Sequence, residues 1–230
     1  MTVREQIEPA LCMMRANTVI EARCLYERFA EDVSEAAFYK TLERLCQKGV
    51  LAHLAKGLYY RPKTSRFGTV PMREQDIVAH YVDNQRGLVV GYRLFNRKGL
   101  TTQISKTVDV LSNALPDQKK TVRNVHVKNI SCVLNDDRVA TIEALEILQN
   151  FGNIEDLNTK AFLSYVERFA QTYSDADAMY VIEHMNYKKS TIAFLAALLT
   201  RLNVRHSLKQ FLSALSTYKF PNLEDLYETA

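Results

Sequence analysis

Residues 36–62 read AAFYKTLERLCQKGVLAHLAKGLYYRP, a helical pattern that runs directly into a pattern of two short strands. Ser34 is a suitable N-cap before this stretch, and Gly49 is a suitable residue to end the helix. Three apolar residues recur at the spacing of one buried helix face: Phe38, Leu42 and Leu45. The stretch therefore predicts an amphipathic helix that ends where the strands begin.

The part after the helix predicts a β-hairpin. Residues 50–54 and 58–61 are the two strands, and Gly57 occupies a turn position that needs a positive φ. Two further helices are predicted upstream, over residues 3–16 and 20–29. Three helices followed by a hairpin is the order of elements in a winged helix-turn-helix domain, in which one helix enters the major groove of DNA.

The outward side of the third helix, the hairpin and the residues beside them are predicted to contact DNA. The predicted contact residues are Ser34, Ala36, Tyr39, Lys40, Arg44, Gln47, Lys48, Lys56, Arg61 and Lys63. Lys40, Arg44 and Gln47 would address base edges and phosphates from the major groove. Lys56 and Arg61 would hold the hairpin on the phosphate backbone. A winged helix that binds only protein remains an alternative.

The distribution of charge suggests a polyanionic partner for the first half of the chain. The net charge is only +4, but residues 34–68 carry seven Lys or Arg against two acids, and residues 86–128 carry nine against two. Residues 129–230 carry 13 acids and nine bases. Taken by itself, the charge distribution favours an ordinary solvated surface over a polyanion-binding one.

The sequence shows no pattern typical of an enzyme, a metal site or a cofactor site. The five His are scattered, and neither a phosphate-binding glycine loop nor a serine-nucleophile motif is present. The four Cys lie far apart, and no apolar run is long enough to span a membrane. We therefore expect a cytoplasmic protein without catalytic activity.

Residues 61–68 are polar and bracketed by Pro and Gly, which predicts a connection between two domains, 1–66 and 69–230. The second domain is predicted to hold a small sheet at about 87–133 and helices over 136–216. Its expected elements are helices over 72–82 and 92–96, strands over 103–111 and 121–127, and helices over 138–150, 158–173, 176–185, 190–202 and 207–215. The predicted fold class is α+β and predominantly helical.

Two stretches resemble a known family. GVLAHLAKGLYYRP at 49–62 and GYRLFNRKGLTTQIS at 91–105 are similar to the AbiEi antitoxins of bacterial type IV toxin–antitoxin systems. The second stretch carries a signature of that family at Gly91, Asn96, Gly99, Leu100, Thr101, Thr102 and Gln103. The resemblance extends loosely over residues 5–220.

This resemblance implies two activities. The winged helix would bind inverted repeats in its own promoter and repress the operon. The second domain would counter a nucleotidyltransferase-like toxin without a stable complex, and it would support self-association on the two half-sites. The recognition-helix and hairpin positions carried over from the family are Ala36, Tyr39, Lys40, Arg44, Gln47 and Lys56.

The GLTTQ segment has two interpretations. It could be a turn in which Gly99 takes a positive φ and the Thr hydroxyls bond nearby backbone, which is the interpretation we favour. It could instead be part of a polar surface that contacts a partner. That surface would comprise Arg93, Arg97, Lys98, Thr101, Thr102 and Gln103. For the whole chain, a stand-alone regulator with a ligand- or protein-binding second domain and an enzyme acting on nucleic acid remain the alternatives.

Overall fold

The computed structural model describes residues 3–228, with side chains described from residue 7 onward. Helices and small β-sheets both contribute to it, which confirms the expected mixture of α and β elements. The α-helices are α1 (Val3–Met13), α2 (Ala22–Glu27), α3 (Glu35–Gln47), α4 (Glu74–Val82), α5 (Tyr92–Arg97), α6 (Asp136–Gln149), α7 (Thr159–Gln171), α8 (Asp175–His184), α9 (Lys189–Arg201) and α10 (Leu223–Glu228). The strands are β1 (Val19–Glu21), β2 (Ala52–Ala55), β3 (Leu58–Tyr60), β4 (Lys63–Ser65), β5 (Gly68–Val70), β6 (Gly87–Val90), β7 (Val108–Ser112), β8 (Lys119–Val122) and β9 (Val125–Asn129).

The chain forms two compact units. Unit 1 comprises the residues up to His80 together with Thr121–Val125, and unit 2 comprises Tyr81–Lys120 together with the residues from His126 onward. The division into domains 1–66 and 69–230 stays a prediction, because compact packing does not show which part folds independently. No described helix is long and apolar enough to cross a membrane.

Helix α3 is organised by the local signals that the sequence carries. Phe38, Leu42 and Leu45 are at most 1% exposed, and they pack with apolar residues of α1 and α2. The Ser34 hydroxyl accepts a hydrogen bond from the Ala37 amide at 3.4 Å, as an N-cap does. Because the apolar stripe faces the core, the opposite side of α3 is left to solvent.

Unit 1 also contains a three-stranded antiparallel sheet with the order β1-β3-β2. Val19 lies opposite Tyr60, and the Ala22 amide donates to the Gly57 carbonyl at 2.9 Å. The helix predicted over 20–29 is therefore wrong at its beginning: its first residues belong to β1, and α2 is only the six residues from Ala22 to Glu27. Helix α1 also ends earlier than predicted.

The segment predicted to be a connection, residues 61–68, is also different in the structure. Strands β4 and β5 pair antiparallel, with Lys63 opposite Val70 and Ser65 opposite Gly68. Arg66 and Phe67 form the tip of this second hairpin. The strands are short and polar, so the alternation of apolar residues that marks a half-buried strand is missing from the sequence.

Strands β6 to β9 form a sheet with the order β6-β7-β9-β8. The strand predicted from Gln103 begins only at Val108, and the strand predicted over 121–127 is interrupted by a turn at Arg123, whose φ is +55°. Strand β6 was not predicted. Gly87 at its start has no space for a Cβ, because the carbonyl oxygens of Tyr81 and Leu111 occupy that position.

Unit 2 takes its main core from helices. The four helices predicted between residues 138 and 202 are confirmed as α6 to α9. The helix predicted over 207–215 is wrong: only Leu208–Phe211 forms a 3₁₀ turn, and Leu215 is 99% exposed. Helix α10 lies beyond the range in which helices were predicted. Apolar residues of α5 to α9 pack together into one continuous core.

Candidate nucleic-acid interface

The exposed side of α3 brings most of the predicted DNA-contact residues together. Ser34, Ala36, Lys40, Arg44, Gln47 and Lys48 are all exposed. Tyr39 is half-buried at the flank, where its ring meets the ring of Phe38 edge to face at 5.5 Å. A helix of 13 residues is about 20 Å long, so this side presents basic and polar groups along several turns.

The charge on this side is mostly positive. Among the residues that the structure describes, no carboxylate lies within ion-pair distance of Lys40, Arg44 or Lys48. Glu43 is exposed on the same side of the helix. Burial raises the pKa of the Cys46 thiol, which keeps this nearby group neutral at physiological pH. The side is therefore a cationic surface with one carboxylate in it.

The β2–β3 turn is short and held close to the body of unit 1. Lys56 is exposed at the turn, and Gly57 has the predicted positive φ, at +72°. The Gly57 carbonyl accepts the hydrogen bond from Ala22, which fastens the turn to the start of α2. Lys56 can thus meet a phosphate, but the backbone of the turn projects little.

Arg61 and Lys63 differ in their availability. Lys63 is exposed, whereas Arg61 is half-buried and its Nε is enclosed without a hydrogen-bond partner among the described residues. Asn17 fixes this part of the chain: its amide donates to the Arg61 carbonyl at 2.8 Å, and its side-chain oxygen accepts from the Lys63 amide at 3.2 Å. Sequence patterns gave no sign of Asn17, because its partners lie more than 40 residues away.

The GLTTQ segment in unit 2 forms a tightly bonded turn after α5. Gly99 has a φ of +74°, and the Leu100 amide donates to the Phe95 carbonyl at 2.9 Å, which closes the end of the helix. The Asn96 side chain donates to the Thr101 carbonyl at 3.1 Å. Leu100 is fully buried. The spacing of the signature thus follows from the geometry of a helix end.

Thr101 does not lie on the surface that the sequence predicted. It is 5% exposed, and its hydroxyl donates to the Glu155 carbonyl at 2.7 Å while it accepts from the Gln103 amide at 3.2 Å. The Gln103 side chain is half-buried and donates to the Asp156 carboxylate at 2.9 Å. These bonds pair the polar groups of Thr101 and Gln103 within the protein, as expected for a turn. Of Thr101, Thr102 and Gln103, only Thr102 is exposed.

The cations next to this turn are partly neutralised. Arg97 and Lys98 contact the two carboxylate oxygens of Glu143 at 2.7 and 2.6 Å. Glu143 lies on α6, is 7% exposed, and was not singled out in the sequence, because an acid within an apolar helix gives no local indication of its partner. Arg93 is exposed. The predicted surface is therefore reduced to Arg93, Thr102 and the outer parts of Arg97 and Lys98.

We expect Thr101→Val to lower the free energy of unfolding by about 1–3 kcal/mol, because it leaves the Glu155 carbonyl and the Gln103 amide without their partner. Valine keeps the shape of threonine, so lost packing contributes little. Urea unfolding followed by circular dichroism measures the change. Thr102→Val is the matched control, since Thr102 is exposed. Equal stabilities of the two variants would contradict the structural role of the Thr101 hydroxyl.

The described residues contain no group of three or more His, Cys, Asp or Glu placed to hold a metal ion. The cationic side of α3 and the buried turn after α5 both have a defined geometry. The first can attract a polyanion, and the second stabilises the fold of unit 2.

The chain belongs to a family of unknown function (DUF6088), whose sequence profile matches residues 19–172. Among solved structures, it is similar to one described as "Crystal structure of RV2827C protein from Mycobacterium tuberculosis". The identity is 12%, the match covers 88% of this chain and 80% of that chain, and the TM-score is 0.44. A comparison with curated proteins found no match.

Proposed function

We propose that unit 1 is a winged helix-turn-helix that binds double-stranded DNA, with α3 as the recognition helix and β2–β3 as the wing. The observation that carries this proposal is the exposed cationic side of α3 above a fully buried apolar stripe. The order of α1, α2, α3, β2 and β3 and the pairing of β1 with β3 support it. Lys40, Arg44 and Gln47 are the residues proposed to reach bases and phosphates.

The electrostatics of this part of the chain support a nucleic-acid partner. Residues 44–73 contain seven Lys or Arg and no Asp or Glu. When such a segment binds DNA, its cations displace the counterions that are condensed on the phosphates. The affinity for DNA therefore falls steeply as the salt concentration rises. Glu43 is proposed to contribute to the choice of base, because a carboxylate repels phosphates but can accept a hydrogen bond from the amino group of cytosine.

The proposed role of the whole chain is that of a cytoplasmic repressor and antitoxin without catalytic activity. The support for this is the resemblance of 49–62 and 91–105 to the AbiEi antitoxins. In this role the protein binds inverted repeats in its own promoter, and unit 2 counters a nucleotidyltransferase-like toxin without forming a stable complex. Self-association on the two half-sites follows from the symmetry of inverted repeats.

We expect the full chain to bind the duplex from upstream of its own gene more tightly than a scrambled duplex of equal length. Fluorescence anisotropy at several salt concentrations measures both affinities. A fall of log affinity with log salt, with a slope of about −4 or steeper, is expected if five or more phosphates are neutralised. Equal affinity for the two duplexes at physiological salt would contradict the proposed DNA recognition.

Growth assays test the antitoxin part separately. The neighbouring reading frame is expressed with the full chain or with an empty vector. Protection by the chain supports the antitoxin role. A neighbouring gene product that is harmless without the chain, or equally toxic with it, would contradict that role and leave DNA binding to be judged by the anisotropy data.

A further inference from the structure

The second hairpin, β4–β5, is exposed along nearly its whole length. Every residue from Lys63 to Thr69 is exposed. Phe67 at the tip is 87% exposed, and the guanidinium of Arg66 lies over its ring at 4.7 Å from the centroid. Single exposed apolar residues are common on protein surfaces, so the exposure of Phe67 gains meaning from its position at the tip of a basic hairpin.

The tip is ordered by its own hydrogen bonds. The Ser65 hydroxyl donates to the Gly68 carbonyl at 3.1 Å and accepts from the Phe67 amide at 3.2 Å. Gly68 has a φ of +106°, a conformation that favours glycine. These contacts hold the backbone at Arg66 and Phe67 in one geometry, so the two side chains project from a formed turn.

Both ends of the hairpin are anchored within unit 1. Asn17 holds the entrance through its bonds to the backbone of Arg61 and Lys63. At the exit, the Arg123 guanidinium donates to the Met72 carbonyl at 2.6 Å. An isolated two-stranded hairpin is only marginally stable in water, and these anchors offset that weakness without covering the tip.

The charge of the hairpin indicates the kind of partner. Residues 57–72 contain three Lys or Arg and no Asp or Glu. An acid-free basic hairpin with an aromatic tip suits a nucleic acid, since Arg favours the negative potential of a narrow minor groove and a Phe can enter between base steps. On a protein partner, each of these cations would need its own acidic side chain, whereas DNA offers a phosphate at every nucleotide.

We infer that the β4–β5 hairpin is a second DNA-contacting element, in which Arg66 enters the minor groove and Phe67 unstacks one base step. This inference rests on the proposed DNA binding by α3. The β2–β3 turn cannot supply this contact, because its tip carries Lys56 and Gly57 and is fastened to α2. The partner is duplex DNA that deforms readily at one step flanking the bases that α3 addresses.

The experiment uses the full chain and the upstream duplex, with 2-aminopurine placed in turn at each position of the bound region. We expect the wild type to raise the fluorescence of the probe at one step, since the base there loses its stacking. Phe67→Ala should abolish this rise and weaken binding about tenfold, a loss typical of one stacking contact. Phe67→Leu, which keeps an apolar wedge, should retain the rise. Arg66→Ala should reduce the salt slope by about one.

Leu215→Ala is the matched control for removing an exposed apolar side chain, because Leu215 is 99% exposed and lies in unit 2. It should bind as the wild type does. Wild-type affinity of Phe67→Ala would overturn the inference while leaving DNA recognition by α3 intact, as would weakened binding with the fluorescence rise retained. A wild type that does not distinguish the upstream duplex from the scrambled one would overturn the proposed function as well.

Discussion

The double variant Lys40→Ala, Arg44→Ala is expected to lose specific binding to the upstream duplex, with affinity lowered by about 100-fold or more. Each contact to a base edge or phosphate contributes about 1–3 kcal/mol, and both residues lie on the exposed side of α3. The fold should persist, because neither side chain takes part in the core of unit 1. Fluorescence anisotropy at physiological salt measures the loss, and thermal unfolding checks the fold.

A second double variant tests whether the loss of binding depends on where the two positive charges are removed or only on the change in net charge. Lys188→Ala, Lys189→Ala removes the same two charges from exposed residues at the start of α9 in unit 2. It should keep specific binding, and its non-specific affinity should fall only slightly. If both double variants weaken binding equally, net charge explains the effect and α3 is not the recognition helix. Retained affinity of the α3 variant would defeat the assignment directly.

The sequence predicted α3 accurately because all its determinants are local. The cap at Ser34, the apolar stripe and the stop at Gly49 lie within 16 residues, and each acts through neighbours along the chain. The same reasoning predicted the helix over 158–173, which is α7, and the apolar residues that recur along it are all buried: Phe162, Tyr165, Val166 and Phe169. Local periodicity is sufficient when a helix is long and packs on one side.

The elements that were missed depend on partners far along the chain. Strand β1 has only three residues, and what makes it a strand is its pairing with β3, about 40 residues later. Glu143 is buried with its charge paired, because Arg97 at the end of α5 and Lys98 directly after it contact its carboxylate. A single sequence does not show such pairings, so Val19–Glu21 was assigned in part to a helix and Glu143 was passed over.

The candidate site was accessible to sequence reasoning only in part. The exposed side of α3 was predictable, because the apolar stripe identifies the buried side and the opposite side must then face solvent. The signature after α5 gave two interpretations, and only the geometry around Thr101 shows that its hydroxyl bonds within the protein. The β4–β5 hairpin was assigned to a connection, because Lys63–Ser65 and Gly68–Val70 lack an apolar face. Elements that bury little give little signal in a sequence.

Phe162→Ala is expected to lower the free energy of unfolding by about 3–5 kcal/mol, which is a large part of the total stability of an ordinary domain. Phe162 on α7 is fully buried, and its ring lies 4.8 Å from that of Phe151 and 6.4 Å from that of Phe194. The substitution removes the ring from the centre of this cluster and leaves a cavity that rigid helices fill only partly. Urea unfolding followed by far-ultraviolet circular dichroism measures the loss.

Phe220→Ala provides the control for the same chemical change at the edge of the cluster. Phe220 is 38% exposed, and its ring stacks on Phe194 at 5.5 Å with an angle of 8° between the planes. Its removal eliminates one aromatic pair and a side chain that is already partly exposed to solvent. We therefore expect the free energy of unfolding to fall by only about 1 kcal/mol. Comparable losses for the two variants would mean that the packing of α7 against α9 does not centre on Phe162, and the core of unit 2 would then have to be placed elsewhere among these helices.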